Sequence, residues 1–116
     1  MLKIYHNPRC SKSRETLELL KTHTDEQVEV IEYLKTPPTA AELQQLLNQL
    51  NMSARQLLRT KEDEYKTQGL DNHTLTEQQI IDAMVAHPKL IERPIVVNGN
   101  KAVIGRPATN VLNILS

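Results

Sequence analysis

The 116-residue sequence contains a single cysteine, Cys10. No disulfide can form within one chain, so a redox reaction at Cys10 would need a second thiol from another molecule. A lone unpaired cysteine is typical of proteins kept in a reducing compartment. This favours a cytoplasmic location.

Net charge and long apolar runs are also lacking. Fourteen basic residues balance fourteen acidic ones, so the overall charge gives no reason to expect binding to nucleic acid or to an anionic membrane. The longest apolar run, Ala83 to Ala86, is far too short for a transmembrane helix or a signal peptide. Internal repeats are absent as well, and the length suits one domain over residues 1–116 with a core that needs no disulfide or metal.

Cys10 lies in a polar segment between a predicted strand over residues 2–5 and a predicted helix over residues 12–23. The start of a helix carries unpaired backbone N–H groups and roughly half a positive charge. Both stabilise a thiolate and attract an oxyanion to the same place. A thiol in such surroundings can fall from a pKa of about 8.5 to about 3.5–7.5.

The alternative for a lone cysteine is a small buried apolar side chain, which is common for this residue type. The neighbours of Cys10 argue against burial, because no apolar residue lies within three positions on either side. His6, Arg9 and Arg14 are close in sequence, and Arg14 adds a full charge and a forked donor. The residues therefore favour a reactive thiol.

Apolar periodicity predicts strands over residues 2–5, 27–33, 95–97 and 102–104. The first two strands flank a helix and should be parallel. The last two flank an Asn98-Gly99-Asn100-Lys101 hairpin turn. A closing helix after Pro107 should place three side chains on its inner face: Val111, Leu112 and Leu115.

The middle of the chain is predicted to be helical. Thr39 and Glu42, and again Thr76 and Gln79, have the spacing of a capping box. Ser53 is expected to cap a short helix. The expected fold is therefore α/β, a thioredoxin-like mixed four-stranded sheet with flanking helices, with a helical insert of about residues 37–91 between the second and third strands.

Other cysteine motifs do not fit. A tyrosine-phosphatase loop needs arginine six positions after the cysteine, where Thr16 stands, and a thioredoxin-type pair needs a second cysteine where Ser13 stands. The remaining histidines besides His6 are scattered along the chain, so no metal site is expected.

Four segments of this sequence, in order and at similar spacing, resemble the signature segments of the glutaredoxin-coupled arsenate reductase family. They are Tyr5 to Arg14, Arg55 to Arg59, Arg93 to Val97, and Gly105 to Pro107. The chain departs from well-characterised members in having Ser11-Lys12 where Gly-Thr is common. It also ends at Ser116 where those members continue.

The resemblance implies an activity and roles for particular residues. Cys10 would be the nucleophile that attacks arsenate, and arginines at three positions would contact the oxyanion: Arg59, Arg93 and Arg106. His6 would help to keep the thiol ionised, Ser13 would assist it, and the bond before Pro94 would be cis. Glutathione would be the co-substrate and glutaredoxin the partner, with no metal or tightly bound cofactor.

The residues alone leave other interpretations open. Arg59 could serve the end of a helix, and Arg106 could be a solvated surface charge. The protein could also be a thiol oxidoreductase acting on another oxyanion or on glutathione adducts. A third possibility is a non-enzymatic thioredoxin-like regulator or binding protein, although the Cys-x-x-Cys switch that such regulators often use is missing.

Overall fold

The structure is a computed structural model that describes residues 2–115. The chain folds as two compact units. The first unit comprises the described residues up to Thr36 together with those from Arg93 onward, and the second unit is Pro37–Glu92. Over residues 2–115, no helix combines the length and apolar character that crossing a bilayer requires.

The first unit contains the whole sheet. Its elements are β1 Leu2–Tyr5, α1 Ser11–His23, β2 Val28–Ile31, β3 Ile95–Asn98, β4 Lys101–Ile104 and a 3₁₀ helix, Ala108–Ile114. The strand order is β2-β1-β3-β4. Strands β1 and β2 are parallel, whereas β1 pairs with β3, and β3 with β4, in antiparallel fashion. The predicted mixed four-stranded sheet is therefore confirmed, although β2 is shorter than the predicted 27–33.

The core of this unit forms on one face of the sheet. Leu2 and Ile4 are fully buried and share a face because side chains alternate along a strand. They pack with Leu20 of α1 and with Val111 and Ile114 of the 3₁₀ helix. Burying one such side chain stabilises the fold by about 1.5–3 kcal/mol.

The closing helix differs from the prediction. It is a 3₁₀ helix, in which every third side chain is aligned, so Ala108, Val111 and Ile114 face the core. The prediction that Leu112 lies on the inner face is wrong, because Leu112 is 39% exposed. Leu115 is partly buried against the core, as expected.

The hairpin between β3 and β4 is confirmed. Asn98 pairs with Lys101, which leaves Gly99 and Asn100 as a two-residue turn. Gly99 has φ +62°, a left-handed conformation that favours glycine and that turns of this length require.

The second unit is helical. Its elements are α2 Ala40–Leu50, α3 Ala54–Leu57, α4 Asp63–Thr67, α5 Glu77–Ala86 and a 3₁₀ turn, Pro88–Leu90. Helices α2 and α3 and the 3₁₀ turn pack against α5. Fully or almost fully buried apolar side chains fill the space between them, namely Leu43, Leu46, Leu47, Leu57, Ile80, Ile81, Met84 and Leu90.

Three helices of the second unit begin with a complete capping box, in which the cap side chain and the third helical side chain each bond the other's backbone N–H. The pairs are Thr39 with Glu42, Ser53 with Gln56, and Thr76 with Gln79. The caps predicted at Thr39, Ser53 and Thr76 are confirmed. Helix α2 ends at Asn51, which adopts the left-handed conformation with φ 57°.

Thr39→Ala should lower the free energy of unfolding by about 1 kcal/mol, the usual cost of losing a threonine cap. The Thr39 hydroxyl accepts from the Glu42 N–H at 3.1 Å, and alanine offers no acceptor. Urea denaturation measures the change. Thr39→Ser keeps the hydroxyl and should retain most of the stability, so an equal loss in both variants would contradict a capping contribution.

Candidate active site

The loop between β1 and α1 places Cys10 at the start of the helix. Asn7 organises this turn, since its backbone oxygen accepts from the Cys10 N–H at 3.0 Å and its side-chain oxygen from the Arg9 N–H at 3.0 Å. Cys10 has an extended backbone, and its carbonyl accepts the first helical hydrogen bond, from the Arg14 N–H at 3.0 Å. Cys10 is therefore the N-cap residue of α1, at the position predicted for it.

The sheet register brings two arginine loops to the same edge as Cys10. Tyr5, the last residue of β1, pairs with Ile95 of β3, and Ile95 pairs with Ile104, the last residue of β4. The loop after β1, the loop before β3 and the loop after β4 therefore emerge side by side. Arg93 and Arg106 lie in the second and third of these loops.

Arg106 contacts the thiol. Its Nη2 lies 3.6 Å from the Cys10 Sγ, and its Nε donates to the Arg93 carbonyl at 2.8 Å. The peptide bond before Pro94, for which the resemblance implied a cis geometry, is cis, and so is the bond between Arg106 and Pro107. Within the first unit the structure thus brings Cys10, Arg93 and Arg106 together.

Backbone amides and a guanidinium stabilise the Cys10 thiolate. Burial by itself raises the pKa of the Cys10 thiol, but the N–H groups of Ser13 and Lys12, followed by the charge and hydrogen bond of Arg93, outweigh it, so the net pKa is lowered. Cys10 makes no close side-chain cap bond of the kind serine makes. The amides of Ser13 and Lys12 nevertheless favour the anion, as unpaired N–H groups at a helix start do.

His6 and Ser13 form a buried pair beneath this loop. The His6 ring is 6% exposed and Ser13 is fully buried, with Nδ1 of His6 2.6 Å from the Ser13 Oγ. The Ser13 Oγ also accepts from the Asn7 N–H at 3.0 Å. The pair therefore ties the start of α1 to the end of β1.

The pKa of His6 is lowered, chiefly by burial, while Glu32 opposes the shift and Arg14 and Lys21 add to it. A ring that is neutral near pH 7 contributes no positive charge to the thiolate. His6 acts through its hydrogen bond to Ser13, whose hydroxyl can donate to the unprotonated Nδ1.

Arg14 supports the loop from the helix. Its Nη1 donates to the Pro8 carbonyl at 2.9 Å, which holds the turn that precedes Cys10. The positive charge of Arg14 also helps to lower the pKa of the His6 ring. The contact that the structure describes for Arg14 is thus with the backbone of the loop.

Arg59 belongs to the second unit. It was expected at the end of a helix, but α3 ends at Leu57, and Arg59 follows an isolated bridge between Leu58 and Ile91. Its Nη1 lies 2.8 Å from Glu92 and its Nε 3.4 Å from Glu62. Two carboxylates therefore share its charge.

Two residues of this region carried no recognised role in the sequence. Thr16 is fully buried, and its hydroxyl lies within hydrogen-bond distance of the Lys12 and Gly105 carbonyls, at 2.9 and 3.1 Å. A Cβ built on Gly105 would lie 2.8 Å from Thr16 side-chain atoms and 3.0 Å from Pro94. The only sequence feature that pointed to Gly105 was its place in one of the four signature segments. No local sequence pattern pointed to Thr16.

Among residues 2–115, no group of three or more His, Cys, Asp and Glu side chains is arranged to hold a metal ion. The chemistry of the described site comes from a stabilised thiolate, amide donors and guanidinium groups. Such a set suits nucleophilic attack on a tetrahedral oxyanion.

A mixed sheet of order β2-β1-β3-β4, with the first helix beginning at the cysteine after β1, defines the class of thioredoxin-like proteins. The chain belongs to the ArsC family, whose family model matches residues 5–114. The family resemblance inferred from the four sequence segments is confirmed at this level.

Similar proteins cover almost the whole chain. It is 58% identical to the Uncharacterized protein YfgD of Escherichia coli (strain K12), over 98% of this chain and 96% of that protein. It is 47% identical to a protein of Neisseria meningitidis serogroup A named arsenate reductase, over 98% of this chain and 97% of that one. The solved structure of an arsenate reductase from Vibrio cholerae is 48% identical, with a TM-score of 0.94 over 98% and 97% of the two chains.

Acidification should destabilise the protein through His6. Because the folded-state pKa lies below the ordinary value of about 6.5, the unfolded chain binds more protons as the pH falls. The stability contributed by neutral His6 is therefore present above about pH 6.5 and is lost as the pH falls towards the folded-state pKa. Urea denaturation from pH 7.5 to 5 measures the slope. His6→Asn should flatten this slope; equal slopes for wild type and His6→Asn would refute the assignment.

Arg93→Gln should raise the pKa of Cys10, because Arg93 is the largest charge acting to lower it. The rate of alkylation by iodoacetamide, followed across pH, reports the thiolate fraction. Lys101→Gln is the matched control, since the register Leu2–Asn98–Lys101 places it at the opposite end of the sheet. A wild-type thiol that titrates near 8.5, the ordinary value, would show that the donors do not act as described.

Proposed function

We propose that this protein reduces arsenate to arsenite, with Cys10 as the single nucleophile, glutathione as co-substrate and glutaredoxin as the exchange partner. The observation that carries the proposal is the arrangement at the Cys10 sulfur, where amides of α1 and the Arg106 guanidinium 3.6 Å away converge on one side chain. Family membership and relatives named arsenate reductase support it.

Charge is the first difficulty of the reaction. Arsenate is an anion near neutral pH, and a thiolate must approach it, which is a meeting of like charges. Arginines lower the cost because guanidinium stays charged and offers two parallel donors to two oxygens of one oxyanion. We assign this binding to Arg93 and Arg106, with the amides of Ser11 to Ser13 as further donors.

Arg59 is the third arginine that the family resemblance assigns to the oxyanion. Its charge is already shared with Glu92 and Glu62, so we expect it to contribute less binding than an unshared guanidinium would. His6 and Ser13 hold the loop that presents Cys10, and Arg14 secures the turn before it.

The reaction can be balanced with external thiols alone. The Cys10 thiolate attacks arsenic, and an oxygen leaves as water after taking up protons, which gives a thiol–arsenate adduct. Glutathione replaces a second oxygen, again as water. A glutaredoxin thiolate then attacks the glutathione sulfur, the electron pair of the glutathione sulfur–arsenic bond passes to arsenic, and a glutaredoxin–glutathione mixed disulfide leaves. Hydrolysis finally frees arsenite and the Cys10 thiol.

A cavity beside the Cys10 loop offers space of mixed charge for the reducing thiol. Its volume is about 240 Å³, and it is lined by residues 6–9 of the loop together with Glu32, Leu34 and Lys35. Glutathione carries two carboxylates and one ammonium group. The basic side chains of Arg9 and Lys35 and the acidic side chain of Glu32 match this pattern of charge.

Arsenate turnover tests the proposal directly. Purified protein with glutathione, glutaredoxin and glutathione reductase should drive arsenate-dependent oxidation of NADPH, and Cys10→Ser should abolish it. Omission of glutaredoxin should stop turnover, whereas thioredoxin with its reductase should not replace it. A rate no greater than that of the Cys10→Ser variant would overturn the proposal, and turnover with a different oxyanion instead would point to another thiol oxidoreductase.

A further inference from the structure

We propose that Thr16 is a positioning residue for the Cys10 reaction: its hydroxyl joins the helix side of the site, at Lys12, to the arginine side, at Gly105. The inference rests on the proposed function only for its effect on turnover. Its effect on the thiol itself can be measured without arsenate.

The helix side of this link is the peptide group that joins Lys12 to Ser13. Thr16 Oγ1 lies 2.9 Å from the Lys12 carbonyl, and the same peptide group carries the Ser13 N–H, one of the donors that lower the pKa of Cys10. A threonine that bonds the carbonyl four residues earlier is common in helices. This bond alone would be a local feature of α1.

The second contact is not local, and the single hydroxyl proton of Thr16 is shared between the two carbonyls. Thr16 Oγ1 also lies 3.1 Å from the carbonyl of Gly105, which is 89 residues away in the sequence. Gly105 directly precedes Arg106, and its own N–H donates to the Pro94 carbonyl at 2.9 Å. The hydroxyl therefore reaches the loop that carries the guanidinium facing the sulfur.

The fit at Gly105 shows that this contact is close as well as polar. A Cβ there would lie 2.8 Å from both Oγ1 and Cγ2 of Thr16, closer than such atoms can approach. Glycine thus allows the two backbones to approach, and the hydroxyl fixes them. Since Thr16 is fully buried, a lost hydroxyl would leave the Gly105 carbonyl without this donor.

Thr16→Ala and Thr16→Ser form a matched pair, because both lack the methyl group and only serine keeps the hydroxyl. Thr16→Val refills the methyl space without the hydroxyl. Thr22→Ala is the control, since Thr22 lies exposed on the same helix and its hydroxyl donates to the Leu19 carbonyl at 2.9 Å. Circular dichroism establishes that each variant is folded.

We expect the pH at which Cys10 alkylation is half-maximal to rise by about half to one unit in Thr16→Ala and Thr16→Val, which makes alkylation about three- to tenfold slower at any pH below both midpoints. Thr16→Ser and Thr22→Ala should remain near the wild-type rate. In the arsenate assay, Thr16→Ala and Thr16→Val should lose kcat/KM by a similar factor. The acidic limb of the pH profile of kcat/KM should move to higher pH in both variants.

Two results would overturn the inference. One is a wild-type alkylation profile in folded Thr16→Ala, and the other is an equal shift in the alanine and serine variants, which would assign the effect to the methyl group. If alanine does not fold, valine against wild type decides the question. An absence of arsenate turnover with the predicted alkylation differences would instead count against the proposed function alone.

Discussion

The negative charge on the Cys10 sulfur must be held in a partly buried position, and burial alone opposes it. The stabilising groups therefore have to come from elsewhere: the amides of Ser13 and Lys12 from α1, and the guanidiniums of Arg93 and Arg106 from two distant loops. The sheet register makes this possible, because Tyr5, Ile95 and Ile104 lie in one row across three strands. The core packing and the buried hydrogen bonds of the first unit hold these three strand ends and their loops in place.

His6 and Thr16 illustrate two ways in which neutral groups support a charged one. The buried His6 ring bonds Ser13 and carries no charge near neutral pH, so its value lies in holding the turn. Thr16 contacts the backbone on both sides of the thiol. In the proposed reaction, neither side chain needs to approach the oxyanion for its loss to change the rate. The guanidiniums supply positive charge, and we infer that these hydroxyl and imidazole contacts position the loops that carry it.

Much of the fold could be predicted because its signals are local. Capping residues indicate where three helices begin, at Thr39, Ser53 and Thr76. Gly99 indicates the hairpin turn because glycine readily adopts a positive φ. The closing helix was placed correctly but given the wrong period, so Leu112 was assigned to the core in place of Ile114. Residue pattern alone does not separate a 3₁₀ from an α-helix over so few residues.

The site could be predicted only in part, because many of its contacts join residues far apart in the sequence. Cys10 was found from its own neighbours, and the arginines from resemblance to a family. The bond between Thr16 and Gly105 joins residues 89 positions apart, and no local chemistry marks it. The pairing of Arg59 with Glu92 likewise depends on the bridge between Leu58 and Ile91. Contacts of this kind arise from tertiary packing, which a single sequence read for its periodicity does not contain.

The capping boxes have a consequence beyond stability. Helices α2, α3 and α5 use their own hydroxyl, carboxylate and amide oxygens to occupy the donors at their first turns, and α4 carries Asp63 and Glu64 at its beginning. A small phosphate-like solute would find these helix ends already occupied or repellent. The first turn of α1 holds no acidic residue and is capped only loosely by sulfur. An anion would therefore be directed to the start of α1 by the blocked starts of the other helices as well as by the free amides of α1.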